Sequence, residues 1–127
     1  MHNDYVRSRA FLMKQVATMV ERLESTPEGN GTMMDNTLIA FMSDAPNQHH
    51  STAMNWPLFM VGDLGGRLKF GGKYINYPGY GKTGHRTVGS FYTTLLHAIG
   101  TPQDTFGFLD PDLDETMQKG PCRELLA

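Results

Sequence analysis

The stretch "MSDAPNQHH" places Asp44, His49 and His50 within seven residues. Carboxylate oxygen and imidazole nitrogen together suit Zn²⁺, Mn²⁺ or Fe²⁺, and Asp44 with His49 or His50 would supply two of the three or four ligands such an ion needs; the cofactor expected, if any, is a divalent ion such as zinc, manganese or calcium. Their spacing lies around Pro46 in a loop, not on a helical face, so nothing local fixes their geometry. The competing reading has Asp44 capping a turn, one histidine hydrogen-bonded to the backbone and the other in solvent. A second group, Lys82, His85 and Arg86 in "GKTGHRT", precedes an apolar helical pattern. The unpaired amides at the start of that helix, with these side chains, are candidates for receiving an anion. The plainer reading makes Thr87 the helix cap and leaves Arg86 in solvent.

Other motifs carry less. "GKT" at Gly81–Thr83 matches the end of a phosphate-cradling loop, but Asn76 stands where its first glycine belongs and Pro78 interrupts it. Asp110, Asp112 and Asp114 alternate as in part of a calcium loop, without its glycine and closing glutamate, and read as a solvated turn. Ser43 and Ser51 lie near the histidines, yet no nucleophile elbow surrounds either one. Cys122 is the single cysteine, which rules out an internal disulfide and reads as an incidental thiol. His97 falls beside an apolar stripe and reads as a hydrogen-bonded core or boundary residue.

The elements that would position these residues follow from periodicity. Tyr5, Leu12, Val16, Met19, Val20 and Leu23 recur at helical intervals, predicting an amphipathic helix over 4–24 that ends at "STPEGNG". "TLIAFMS" and "PLFMVGD" are short unbroken apolar runs, each ending near an aspartate, Asp44 and Asp63. Runs of this kind suit strands covered on both faces, the usual state in a parallel sheet. Ligands of open α/β sheets gather beyond the carboxyl ends of such strands, which is where those two acids would stand. "GRLKF" and "KYINY" predict a short hairpin, and Val88, Phe91, Tyr92, Leu95, Leu96 and Ile99 mark a second helix over 87–99. The tail reads as irregular chain wrapping over the body. Residues 1–127 are therefore expected to form one α/β domain, a small, mainly parallel sheet flanked by helices. Two buried strands between two helices make a thin sandwich, so the pattern predicts either a homo-oligomer or one portion of a longer chain.

Size and charge narrow the classes. The 127 residues can bury one core, and 11 basic against 13 acidic side chains form no basic stripe, which argues against nucleic acid as a partner. The longest apolar runs are far shorter than the ~20 residues that cross a bilayer, and the start of the chain has no signal-peptide pattern, so no membrane partner is expected. The nine methionines show no repeat and read as core filler.

The succession "EGNGTMMDNTLIAFMSD", "HH", "NWPLFMVGDLGGRLKFGGKYINYP", "GHRTVGSFYTTLLHAIG" and "FG" resembles the C-terminal part of a family of secreted bacterial proteins of unknown function. That family is related to the alkaline phosphatase and sulfatase superfamily, whose members are metal-dependent hydrolases of phosphate and sulfate esters. The resemblance implies a fragment or minimal version of that fold, secreted or periplasmic, with Asp44 as a metal ligand and His49 or His50 as the next. The chain has Ala45 and Pro46 where superfamily members follow that aspartate with histidine or asparagine, and it has no counterpart of their nucleophile. What is implied is a domain without catalytic activity by itself that retains a partial metal site. The alternative is a non-enzymatic structural or self-association module.

Overall fold

The computed structural model describes residues 2–43 and 55–127, with side chains from residue 4 onward. Helix α1 runs His2–Glu24. The Ser25 and Thr26 hydroxyls donate to the Arg22 carbonyl at 2.9 and 2.7 Å, satisfying an acceptor that the helix end leaves open. The chain then folds back as a minimal ribbon, β1 (Pro27–Glu28) against β2 (Gly31–Thr32), and enters a 3-10 turn at Met33–Asn36. Thr32 N–H donates to the Asp35 carboxylate at 2.7 Å, which fixes the start of that turn.

Strands β3 (Ile39–Met42) and β4 (Leu58–Val61) pair antiparallel, Ile39 opposite Val61 and Met42 opposite Leu58. The expected mainly parallel sheet is thereby corrected. A parallel pair needs a crossover element between its strands, and the two α-helices among the described residues lie before β3 and after β4. An unbroken apolar run signals coverage but says nothing about the direction of its neighbour. Here the coverage is itself partial: Ala40 and Phe59 are exposed. Because the strands run in opposite senses, their carboxyl ends lie at opposite ends of the sheet, so they do not share a rim. Asp63 instead closes a turn, its Oδ1 accepting from Gly66 N–H at 3.0 Å and its carbonyl from Leu68 N–H at 3.0 Å.

Gly62 joins β4 to that turn at φ +92°, and a Cβ there would lie 2.2 Å from the Thr37 carbonyl oxygen. Only glycine satisfies both conditions. The hairpin expected from "GRLKF" and "KYINY" does not form. Leu68 pairs with Leu126 in an antiparallel bridge, extended by Lys69 N–H to the Leu125 carbonyl at 2.9 Å and Ala127 N–H to the Arg67 carbonyl at 3.1 Å. The end of the tail thus supplies the partner. Alternation explains the choice, since Leu68 and Phe70 turn inward while Lys69 stays exposed.

Helix α2 (Val88–Ala98) is capped by Thr87, whose Oγ1 accepts from Ser90 N–H at 3.1 Å. Its buried face shares only Phe91 with the apolar stripe read from the sequence. Ser90, Phe91, Thr93, Thr94 and Ala98 are buried, whereas Tyr92, Leu95 and Leu96 are half-buried and Ile99 is 52% exposed. The reason is the neighbour: an irregular tail brings backbone polar groups that hydroxyls can satisfy. Thr94 Oγ1 accepts from Cys122 N–H at 2.8 Å, and Ser90 Oγ donates to the Gln118 carbonyl at 3.3 Å. Gln118 holds the tail together in turn. Its Oε1 accepts from Asp110 N–H at 2.7 Å, and its Nε2 donates to the Asp110 and Leu113 carbonyls at 2.9 and 2.7 Å.

The central core consists of Leu68, Phe70, Ala98, Cys122 and Leu125, with Leu38, Met60, Leu64, Tyr77, Leu95 and Leu126 packed around it. Leu125 is 4% exposed, and Leu125→Ala is expected to cost about 2–5 kcal/mol, seen as a lower urea midpoint. Gly62→Ala is expected to destabilise the fold comparably, by strain and a backbone clash, and a midpoint equal to that of the unsubstituted chain would refute this account of the β4 turn.

Candidate functional site

Of the residues singled out for chemistry, Asp44, His49 and His50 lie outside the described residues. Among the described residues no group of three or more His, Cys, Asp or Glu side chains is placed to hold a metal ion. The three anion candidates stand in the loop ahead of α2. Its turns are closed by Lys82 N–H to the Gly79 carbonyl at 3.0 Å and His85 N–H to the Lys82 carbonyl at 2.9 Å, so Lys82 and His85 are backbone neighbours.

Their side chains have separate surroundings. His85 Nδ1 lies 2.9 Å from the Pro78 carbonyl, which can only accept, so Nδ1 carries the proton and Nε2 keeps its lone pair in the neutral ring. The edge of the Tyr80 ring packs on the imidazole with centroids 5.8 Å apart, and Tyr80 Oη donates to Asp110 Oδ2 at 2.7 Å. That hydrogen bond and the Asp112 amide hold the Asp110 carboxyl below its ordinary range. Lys82 is exposed. Arg86 is half-buried, not free in solvent as the plainer reading had it, and its guanidinium donates to the Lys119 carbonyl at 3.4 Å. His85 thus braces the loop while Arg86 ties it to the tail.

Behind Arg86 lies a group that the sequence reading passed over. Tyr77 Oη donates to Glu124 Oε1 at 2.5 Å, 47 residues away in sequence, and Cys122, 1% exposed, is the neighbouring thiol. Burial first, and then the hydrogen bond to Glu124, push the Tyr77 hydroxyl well above its usual range. Burial pulls the Glu124 carboxyl upward, but the Tyr77 hydrogen bond, its own backbone amide and Arg86 together leave it lowered. Burial raises the Cys122 thiol, only partly offset by Tyr77 and Thr94. A raised, enclosed thiol is a poor nucleophile. No local spacing announces this contact, because it exists only once the tail has closed. His97, as its position suggested, makes a boundary hydrogen bond, with Nε2 donating to the Gln103 carbonyl at 3.1 Å. The carboxylates of "DPDLDE" brace turns: Asp110 Oδ1 accepts from Asp112 N–H at 2.9 Å, and Asp114 Oδ1 from Thr116 N–H at 2.7 Å.

Chemically the loop offers one oriented imidazole. Among the described residues no hydroxyl or thiol hydrogen-bonds to His85 Nε2, so the pairing of nucleophile and base that acyl or phosphoryl transfer requires is not assembled there. No family model, curated protein or solved structure matches the chain.

The larger surface feature is apolar. On α1, Tyr5 and Phe11 are each 62% exposed, and Val6 and Met19 are about half exposed. At the Met42–Leu58 end of the β3–β4 pair, Arg9, Met13, Phe41, Met42, Pro57 and Phe59 line a groove of about 290 Å³. Met42 also accepts from Tyr92 Oη at 3.5 Å, and the Tyr92 ring stacks on Phe106 with centroids 4.7 Å apart. Phe106 is half exposed, and Phe108 beyond it is fully exposed.

The tyrosine contact has a pH signature. Tyr77 is raised relative to the unfolded value of ~10, so its contribution is complete below that value and is lost as pH climbs above it. The urea midpoint should fall above pH ~10, and Tyr77→Phe should flatten that fall. An equally steep alkaline loss in the phenylalanine variant would show that another group is responsible.

Proposed function

We propose that this chain is a structural module that associates with further copies of itself and does not act as a self-contained enzyme. The observation that supports this reading is the distribution of its large apolar side chains. Tyr5, Val6, Phe11, Met19, Phe59, Phe106 and Phe108 are exposed on α1, β4 and the tail, while the buried core is small. Monomeric proteins expose single apolar residues freely, but apolar side chains gathered around a groove, as Met13, Phe41, Met42, Pro57 and Phe59 are, mark a surface fit to be covered by something else. The β3–β4 sheet adds to this, since among the described residues it has two strands and therefore two unpaired edges. His85 and Arg86 of the loop before α2, by contrast, bond to the protein's own backbone.

The expected outcome in sedimentation equilibrium over a dilution series is a mass that rises above 14.2 kDa as concentration increases. A mass fixed at the single-chain value throughout would overturn the proposal. Elemental analysis provides the opposing arm. Stoichiometric zinc, manganese or calcium that disappears in both Asp44→Ala and His50→Ala would favour the metal-dependent hydrolase reading implied by the family resemblance.

A further inference from the structure

Residues 122–127 reach the rest of the molecule through contacts distant in sequence. Cys122 N–H donates to Thr94 Oγ1 at 2.8 Å, Tyr77 Oη donates to Glu124 at 2.5 Å, and Leu126 pairs with Leu68. Cys122 and Leu125 enter the core beside Leu68, Phe70 and Ala98, while the backbone of Leu125 and Ala127 bonds to that of Lys69 and Arg67. None of these contacts depends on the covalent path that brings the segment in. Just ahead of it the chain is held independently: the buried Gln118 bonds to Asp110 and Leu113, and Gly120 N–H donates to the Asp104 carbonyl at 2.8 Å. Between Gln118 and Cys122 stand Lys119, Gly120 and Pro121, and the chain turns at Gly120, where φ is +75°.

We propose that two copies of this chain associate by exchanging residues 122–127, each placing Cys122 and Leu125 in the core of the other and pairing Leu126 with the other's Leu68; this rests on the self-association reading above. Three physical features lead there. The occupant is named by the site: this sequence already fills the cleft beside Arg67–Phe70 and α2, and a second copy supplies the same sequence. Exchange reproduces each of those contacts, so its cost is confined to the hinge and to bringing two molecules together. The hinge is short, and short hinges invite exchange. Glycine leaves a positive φ without steric cost, and the residue before a proline favours extended backbone, so the turn at Gly120 is one that Gly120–Pro121 can give up. A linked pair also presents the exposed Tyr5, Phe11 and Phe59 to a second copy at high effective concentration. Because two of the five buried core residues belong to the segment, exchange requires the core to open, and the pairing is set while the chains fold.

The test uses a disulfide across the exchanged contact. Arg67 and Ala127 are exposed, and Ala127 N–H donates to the Arg67 carbonyl at 3.1 Å. Residues opposite one another in such a register lie about 5.5 Å apart, within the ~4.4–6.8 Å that a disulfide bridges. Copies of Arg67→Cys/Ala127→Cys with ordinary and with heavy nitrogen are mixed, unfolded under reducing conditions, refolded at low and at high concentration, and oxidised. Circular dichroism and urea midpoints of the reduced variant verify its fold. Mass spectrometry of the digested protein is expected to find 67–127 links joining heavy to light copies, their share rising with refolding concentration. Links confined to single copies at every concentration would overturn the exchange. The unsubstituted chain gives a second readout: heavy and light dimers mixed after folding should keep their own pairs and form hybrids only after shared unfolding, whereas free mixing without unfolding would count against the exchange. In sedimentation equilibrium, the chain locked by a disulfide within one copy should lose its association. Association of the locked chain at unchanged strength would overturn the exchange while leaving the module reading standing, and a single-chain mass of the unsubstituted chain at all concentrations would remove both.

Discussion

The amide of Cys122 donating to the Thr94 hydroxyl marks the seam on which the C-terminal half depends. On one side stands the hydroxyl-rich face of α2, and on the other a tail whose only helical segments are two short 3-10 turns. A tail of that kind brings backbone donors and acceptors into a buried place, and each must find a partner or cost stability. Ser90, Thr94 and Gln118 provide those partners, and in doing so they deliver Cys122 and Leu125 to Leu68, Phe70 and Ala98. Without the seam there would be no core, since two of its five buried members come from the last six residues.

That arrangement accounts for what was legible in the sequence and what was not. Helix α1, the Thr87 cap and the existence of two apolar strands follow from local periodicity and side-chain chemistry, and they appear within a residue or two of their expected bounds. Strand direction does not follow, because it is decided by the connection and not by the strand's own residues. The buried face of α2 was hidden for a different reason. Hydropathy ranks Ile99 above Thr94, yet the partner is polar backbone, so the hydroxyl goes in and the isoleucine stays out. The Leu68–Leu126 bridge and the Tyr77–Glu124 contact each join residues more than forty positions apart, beyond the reach of any local pattern. At the loop before α2 the residue types were visible, but their partners in the tail were not.

The polar and apolar residues divide the labour in an unexpected way. Histidine, arginine, tyrosine and aspartate of the loop and tail, the types that most often do chemistry, hold irregular backbone in place. Large apolar side chains, which usually hold a fold, stand on its outside. Surface, then, is where this molecule departs most from a domain that buries its large apolar side chains.

No described side chain of α1 is fully buried, even though the helix spans 23 residues. Helices that draw little from packing depend on propensity and length, which in water leave them marginal. Amide hydrogens of the first turns will therefore exchange with solvent sooner than those of α2.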